Sequence, residues 1–266
     1  VPEQPIRKPK IMAVANQKGG VGKTTTAINL SAALARLGKR VLILDLDPQG
    51  NASTGLGIQP SSRQHTTFDL LMGDRTLAEI ALPTQVDNLM IAPATQDLAS
   101  ADIELGQREG RIRLLRKALV GQASEPYDHI LVDCPPSLNL LTVNAMVAAH
   151  SVLVPLQSEF FALEGLSQLM LTLKQIRQSA NPALRTEGIV LTMYDGRNRL
   201  SQQVEQDARD ALGDLVFRTR VPRNVRISEA PSYAMPVLDY DPVSKGSQAY
   251  LALAEELLER NAPIAA

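Results

Sequence analysis

Lys23 and Thr24 close a glycine-rich stretch, Gln17-Lys18-Gly19-Gly20-Val21-Gly22-Lys23-Thr24-Thr25, whose residue types and spacing suit a phosphate ligand. Glycines let backbone N–H groups turn inward without Cβ clashes. An ammonium at Lys23 can reach β- and γ-phosphates, and a hydroxyl at Thr24 can ligate Mg²⁺. Carboxylates follow downstream. Asp45 and Asp47 lie in Asp45-Leu46-Asp47-Pro48-Gln49-Gly50-Asn51, and Asp133 ends the apolar run Ile130-Leu131-Val132. Beside a triphosphate, such groups hold the waters of a metal ion or orient an attacking water. Each feature alone has a plainer reading: a turn that binds nothing, aspartates that cap a loop, a strand that happens to end in Asp. Lys18, taken alone, is equally a solvated loop lysine. In this order and together, they describe a site for phosphoryl chemistry.

The elements that must position these groups are legible in the apolar pattern. Residues 11–15 read as a buried strand, and Ala27, Leu30, Leu34 and Leu37 fall at helical spacing. The glycine loop therefore joins a strand to a helix N-terminus, whose dipole and free N–H groups add to the anion site. Gly38 stops that helix. Residues 41–44 form a second strand. If it continues through Asp47, Asp45 and Asp47 point the same way, at the edge where open α/β sheets bind ligands. Further strands are predicted at 89–92, 130–133, 151–156, 188–193 and 216–221. Helices are predicted near 68–72, 108–119, 162–179, 200–212 and 244–260, with a turn at Glu125-Pro126-Tyr127. This alternation predicts one α/β domain over 11–260, a doubly wound, mostly parallel sheet with helices on both faces. Residues 1–10, with Arg7, Lys8 and Lys10, read as a mobile basic tail, and 261–266 as a C-terminal tail.

Composition narrows the partners. With 266 residues and 44% apolar content, the chain can bury a substantial core. A net charge of −1 supplies no global field toward a polyanion, so any such binding needs a local patch. Cys134 is the single cysteine; it forms no intramolecular disulfide and fits a reducing compartment. It reads as a core thiol rather than a nucleophile. Tryptophan is absent and other aromatics are few, which argues against base-stacking platforms.

The phosphate loop departs from the standard pattern twice. Gln17 stands where a glycine is usual, and a second lysine, Lys18, precedes paired glycines. This K-G-G-x-G-K-T form resembles the deviant Walker A loop of the ParA/MinD branch of P-loop ATPases. Together with D-L-D-P-Q-G-N, D-C-P-P-S, T-M-Y-D-G-R and P-R-N-V-R-I-S-E-A-P, it makes residues 11–260 similar to chromosomal ParA/Soj-type partition ATPases. The resemblance implies ATP and Mg²⁺ as ligands and residues 17–25 as the phosphate cradle. It implies that Lys18 reaches across a homodimer to the partner's nucleotide and that Asp47 positions the hydrolytic water. Thr24, Asp45 and Asp133 would serve the metal, and Met193, Pro222 and Asn224 the nucleotide. Glu159-Phe160-Phe161-Ala162-Leu163-Glu164-Gly165 would border the dimer interface.

The same resemblance implies a function. ATP would close a dimer that binds double-stranded DNA without sequence specificity, and a ParB-type centromere-binding partner would stimulate slow hydrolysis. Arg197 and Arg226 occupy motif positions where relatives place DNA-contacting residues; Arg223, close by, would serve DNA or the nucleotide. The implied location is the cytoplasm, at the nucleoid. With about ten residues before the first strand, the helix-turn-helix domain of larger plasmid relatives is not expected. A MinD-like membrane-positioning ATPase is the rival reading. It calls for a cationic amphipathic C-terminal helix, whereas Glu255, Glu256 and Glu259 mark the last helix here, so no membrane is expected. An iron–sulfur relative would need paired cysteines.

Overall fold

The computed structural model of the chain describes residues 9–120, 127–159 and 161–262. The basic leader at 1–8, Glu125 and Pro126 of the expected turn, Phe160 of the interface motif and residues 263–266 lie outside them. Eight strands form one sheet: β1 Lys10–Val14, β2 Val41–Asp45, β3 Leu82–Pro83, β4 Leu89–Ala92, β5 His129–Asp133, β6 Ser151–Gln157, β7 Arg185–Tyr194 and β8 Val216–Pro222. Their order is β3-β4-β2-β5-β1-β6-β7-β8. All neighbours run parallel except the two-residue edge strand β3, which is antiparallel to β4. The doubly wound architecture is as expected.

Parallel strands covered on both faces read as continuous apolar runs, and β2 and β5 are buried at every position. Alternate residues feed two cores. Met12, Val14, Ile43 and Leu131 face the helices Lys23–Arg36 and Lys245–Arg260 through Leu30, Leu34, Leu253 and Leu257. Ile11, Ala13, Leu42, Leu44 and Val132 face the helices Leu140–Ala148 and Ala162–Ser179 through Leu141, Leu166 and Leu169. This alternation decides which side chains at the strand ends look toward the glycine loop.

Among the elements that differ from expectation are two helices of the sheet's second face. The helix expected from 108 begins as a 3₁₀ turn, Arg111–Arg113, and becomes α-helical only over Leu114–Val120, because Gly110 ahead of it is left-handed (φ 70). The helix Leu140–Ala148 was not anticipated. It is buried almost all round and so carries no amphipathic signature. Asn139 caps it by accepting from the Thr142 N–H.

Candidate functional site

The glycine loop spans residues 15–22, between β1 and the helix Lys23–Arg36. Gly20 and Gly22 are both left-handed, with φ of 74 and 86. A side chain is disfavoured there, which is the physical need behind those two glycines. Gly22 caps the helix with no side-chain hydrogen bond, so the first-turn N–H groups keep their capacity for an anion. The loop is tied down from three directions. Asn16 Nδ2 donates to the Pro155 carbonyl at 2.8 Å, the Lys18 N–H to Asn16 Oδ1 at 3.1 Å, and Thr192 Oγ1 to the Val21 carbonyl at 2.8 Å. Lys23 is buried, and its Nζ donates to the Lys18 carbonyl at 3.0 Å. Burial lowers its pKa, while Asp133, Cys134 and Asp47 pull the other way.

Strand register brings the carboxylates to this loop. Asp133 on β5 pairs with Val14 on β1 and with Asp45 on β2. Both aspartates are fully buried on the face that carries the helix Lys23–Arg36. Asp45 is saturated: Oδ1 accepts the Asp47 N–H at 3.2 Å, and Oδ2 accepts Ser53 N–H at 2.9 Å and Ser53 Oγ at 2.7 Å. Burial pushes its carboxyl up to about 6 against those hydrogen bonds. Asp133 is the opposite case, for neither of its oxygens completes a hydrogen bond. Burial, then the charge of Asp45, raises its pKa well above the usual carboxylate range; the neighbouring Thr24 hydroxyl and Lys23 oppose the rise.

The strand does not continue through Asp47. β2 ends at Asp45, where Pro48 and the left-handed Gly50 (φ 60) take the chain into a turn. Asp45 and Asp47 are therefore not parallel neighbours on one strand. Asp45 is committed to Ser53, and Asp47 Oδ1 caps the turn by accepting the Gln49 N–H at 3.0 Å. Asp47 remains near enough to Lys23 and Asp133 to influence both.

A buried carboxylate with two orphan oxygens beside a threonine hydroxyl fits a hydrated Mg²⁺, a hard cation that takes oxygen ligands. Among the described residues, no three His, Cys, Asp or Glu side chains converge with metal-holding geometry. An ion here would complete its shell from phosphate oxygens and water.

The expected base-contacting residues do converge. Met193, Pro222 and Asn224 line one cavity of about 310 Å³ together with Gly22 and Thr25 of the phosphate loop. Met193 holds a left-handed φ of 50 at the end of β7. The Arg223 N–H donates to the Tyr194 carbonyl at 3.1 Å, tying the β7 and β8 ends together, and Arg223 lines the same cavity. Lys18 turns away from its own loop, with Nζ 2.9 Å from Glu159 Oε2. Arg197 and Arg226 lie outside the cavity. Arg197 is 92% exposed and paired with Asp195, while Arg226 sits between Glu229 and Asp241.

Sequence reasoning passed over three residues that build this site. Ser53 satisfies Asp45, Thr192 fastens the phosphate loop to β7, and Arg63 binds the Ile58 and Ala94 carbonyls beside Gly50. Ser53 and Arg63 fall in no motif, and Thr192, although it opens T-M-Y-D-G-R, carries no local sign of a bond to a loop some 170 residues earlier.

Comparison with known proteins places this geometry among others. A family profile described as an AAA domain matches residues 9–186. The chain is 57% identical to the chromosome partitioning protein ParA of Caulobacter vibrioides over 252 residues, 94% of each chain. It is 49% identical to the sporulation initiation inhibitor protein Soj of Bacillus subtilis over 248 residues, 93% of this chain and 98% of the other. Among solved structures it resembles cobyrinic acid a,c-diamide synthase from Mycobacterium smegmatis with bound ATP analog and magnesium. That match has a TM-score of 0.84 at 37% identity, covering 95% of each chain.

Proposed function

This chain belongs to the ParA/Soj family of chromosome-partitioning ATPases, and on that premise we propose an ATP-driven dimerising switch that binds duplex DNA without sequence specificity. A ParB-type centromere-binding partner stimulates its slow hydrolysis and so releases it from DNA at the nucleoid. The observation that carries the nucleotide chemistry is Asp133: buried, unpartnered, and set beside Thr24 and Lys23.

The residues divide the work as follows. Backbone N–H groups of residues 17–25 cradle the phosphates, and Lys23 holds the β- and γ-phosphate oxygens. Thr24 and Asp133 would hold Mg²⁺, which would supply positive charge to those oxygens. Asp47 accepts a hydrogen bond from the attacking water and aims it at the γ-phosphorus. The bond from phosphorus to the ADP oxygen breaks as the water oxygen adds, giving ADP and phosphate. Asp45 is a positioning residue, since its Oδ1 holds the Asp47 backbone in the turn. Lys18 exchanges Glu159 for the partner's nucleotide when two subunits meet. Met193, Pro222 and Asn224 enclose the base.

Arg197 and Arg226 supply the DNA contacts. A two-fold dimer repeats them, which lets a chain of net charge −1 hold DNA only as a dimer. The last long helix speaks against the membrane reading: its apolar stripe, Tyr250, Leu253, Ala254 and Leu257, is spent in the core. The 57% identity to ParA, against 37% to the cobyrinic acid synthase, favours partition over amide synthesis.

Sedimentation with ATP, ADP or no nucleotide, each with and without random-sequence duplex, tests the proposal. ATP alone should produce a dimer, and only that dimer should carry DNA. ATP-dependent pelleting with anionic liposomes, and none with DNA, would replace the reading with the membrane one.

A further inference from the structure

We propose that Asp195 is an intrachain counter-ion for Arg197: it occupies the guanidinium fork that a DNA phosphate would take, and so sets how tightly and how briefly the chain holds DNA. This rests on the DNA-binding reading above.

The geometry is that of a substitute ligand. Asp195 Oδ1 accepts Arg197 Nε at 3.1 Å, and Oδ2 accepts an Nη nitrogen at 3.0 Å. Two parallel bonds from a guanidinium to a carboxylate match the way the same fork holds a phosphate. A phosphate that takes this Nε–Nη fork therefore displaces the carboxylate. The pair stands in solvent, with Arg197 92% exposed, so a phosphate approaches it without moving any packed group. Hydrogen bonds from the Arg197 side chain, then from its backbone, hold the Asp195 carboxyl down to about 2, which keeps the counter-ion charged at any working pH.

The backbone around the pair is built rather than loose. Asp195 Oδ1 also accepts the Arg197 N–H at 3.0 Å, and the Asp195 carbonyl accepts the Asn198 N–H at 3.0 Å. Asn198 caps the helix Arg199–Leu212 through the Leu200 N–H at 2.9 Å. The Tyr194 carbonyl is bonded to the β8 loop. With the turn fixed at both ends, the exchange of carboxylate for phosphate falls to the Arg197 side chain. Arg226 differs: Glu229 at 2.8 Å and Asp241 at 3.2 Å grip it from two sides, and it is half covered. Arg197 has one counter-ion and full access, so its occupancy by DNA is the more easily tuned.

Asp195→Asn separates the two roles of this residue. The amide oxygen still accepts the Arg197 N–H and keeps the turn, while the charge is gone. Duplex binding is measured with ATP present for wild type, Asp195→Asn, Arg197→Ala and the double variant, alongside ATP affinity and melting temperature. Asp195→Asn should bind DNA more tightly by roughly 2- to 30-fold per dimer, the range set by two exposed ion pairs. ATP affinity should not change, and the gain should vanish when Arg197 is also removed. Arg197→Ala that binds DNA like wild type would overturn the underlying DNA site. Arg197→Ala that weakens binding, with Asp195→Asn unchanged or weaker, would leave that site standing and overturn the counter-ion role. A gain from Asp195→Asn that persists without Arg197 would also overturn it, because the effect would then be general charge rather than competition for the fork. If Asp195→Asn melts well below wild type, Asp195→Ser, whose hydroxyl also supports the turn, takes its place under the same criteria.

Discussion

Asp45 and Asp133 end neighbouring parallel strands side by side, buried on the same face, yet only Asp45 is satisfied. Asp45 takes its hydrogen bonds from Ser53 and the Asp47 backbone, whereas Asp133 takes none. Burial raises both carboxyls, and the charge of Asp45 raises Asp133 further. The asymmetry assigns them different work: Asp45 holds the turn that carries Asp47, and Asp133 faces Thr24 and Lys23.

Lys23→Ala should weaken ATP binding by roughly 100-fold or more, since a buried charge-assisted contact to phosphate is lost. Equilibrium dialysis reads this directly. An affinity near that of wild type would remove Lys23 from the nucleotide site.

Lys18→Ala should bind ATP but neither dimerise nor hydrolyse it normally. Within its own subunit the Lys18 side chain contacts Glu159, while the loop is held by the Lys18 backbone groups, which the substitution keeps. ATP affinity and sedimentation are compared on one preparation. A variant that dimerises and turns over ATP like wild type would show that Lys18 does not bridge subunits.

Asp47→Asn should bind ATP, dimerise and persist on DNA while hydrolysing roughly 10²- to 10⁴-fold more slowly. The amide oxygen can still accept the Gln49 N–H, so the turn survives and the loss falls on water activation. Phosphate release with and without the centromere-binding partner is the readout. Unchanged stimulated turnover would move that role elsewhere.

Arg197→Ala and Arg226→Ala should weaken DNA binding evenly across sequences while leaving ATP affinity intact, because phosphate contacts carry no base information. If each arginine meets one phosphate per subunit, the log–log salt slope becomes shallower by roughly 1.8 per variant. Arg226 is pinned by Glu229 and Asp241, so its removal should also lower the melting temperature slightly. A DNA defect that merely tracks lost ATP binding would rule out direct contact.

Glu256→Gln should destabilise the fold near neutral pH by about 2 to 3 kcal/mol. Burial alone would raise this carboxyl. The Arg218 and Thr219 N–H groups, the Thr219 hydroxyl and Arg260 nevertheless hold it at about 2, against an ordinary value of 4.5. A depressed carboxyl stabilises the folded chain above its unfolded pKa and loses that contribution as pH falls through the folded one. The gap between wild type and variant should therefore close between about pH 4.5 and pH 2. Urea titrations at pH 7 and pH 3 measure it.

The sequence alone determined the glycine loop, the lysine and threonine that close it, the strand–helix alternation and the aspartates at strand ends. All are carried by near neighbours: periodicity, glycine placement and short motifs act within a few residues of chain. It did not disclose the helix Leu140–Ala148, because a helix buried all round has no polar face to show a period. Nor did it show that β2 stops at Asp45 or that Asp133 goes unpartnered. Those facts depend on which strands lie side by side and in what register. Register joins residues far apart in the chain, and the burial it creates decides which carboxylate finds a donor and which does not.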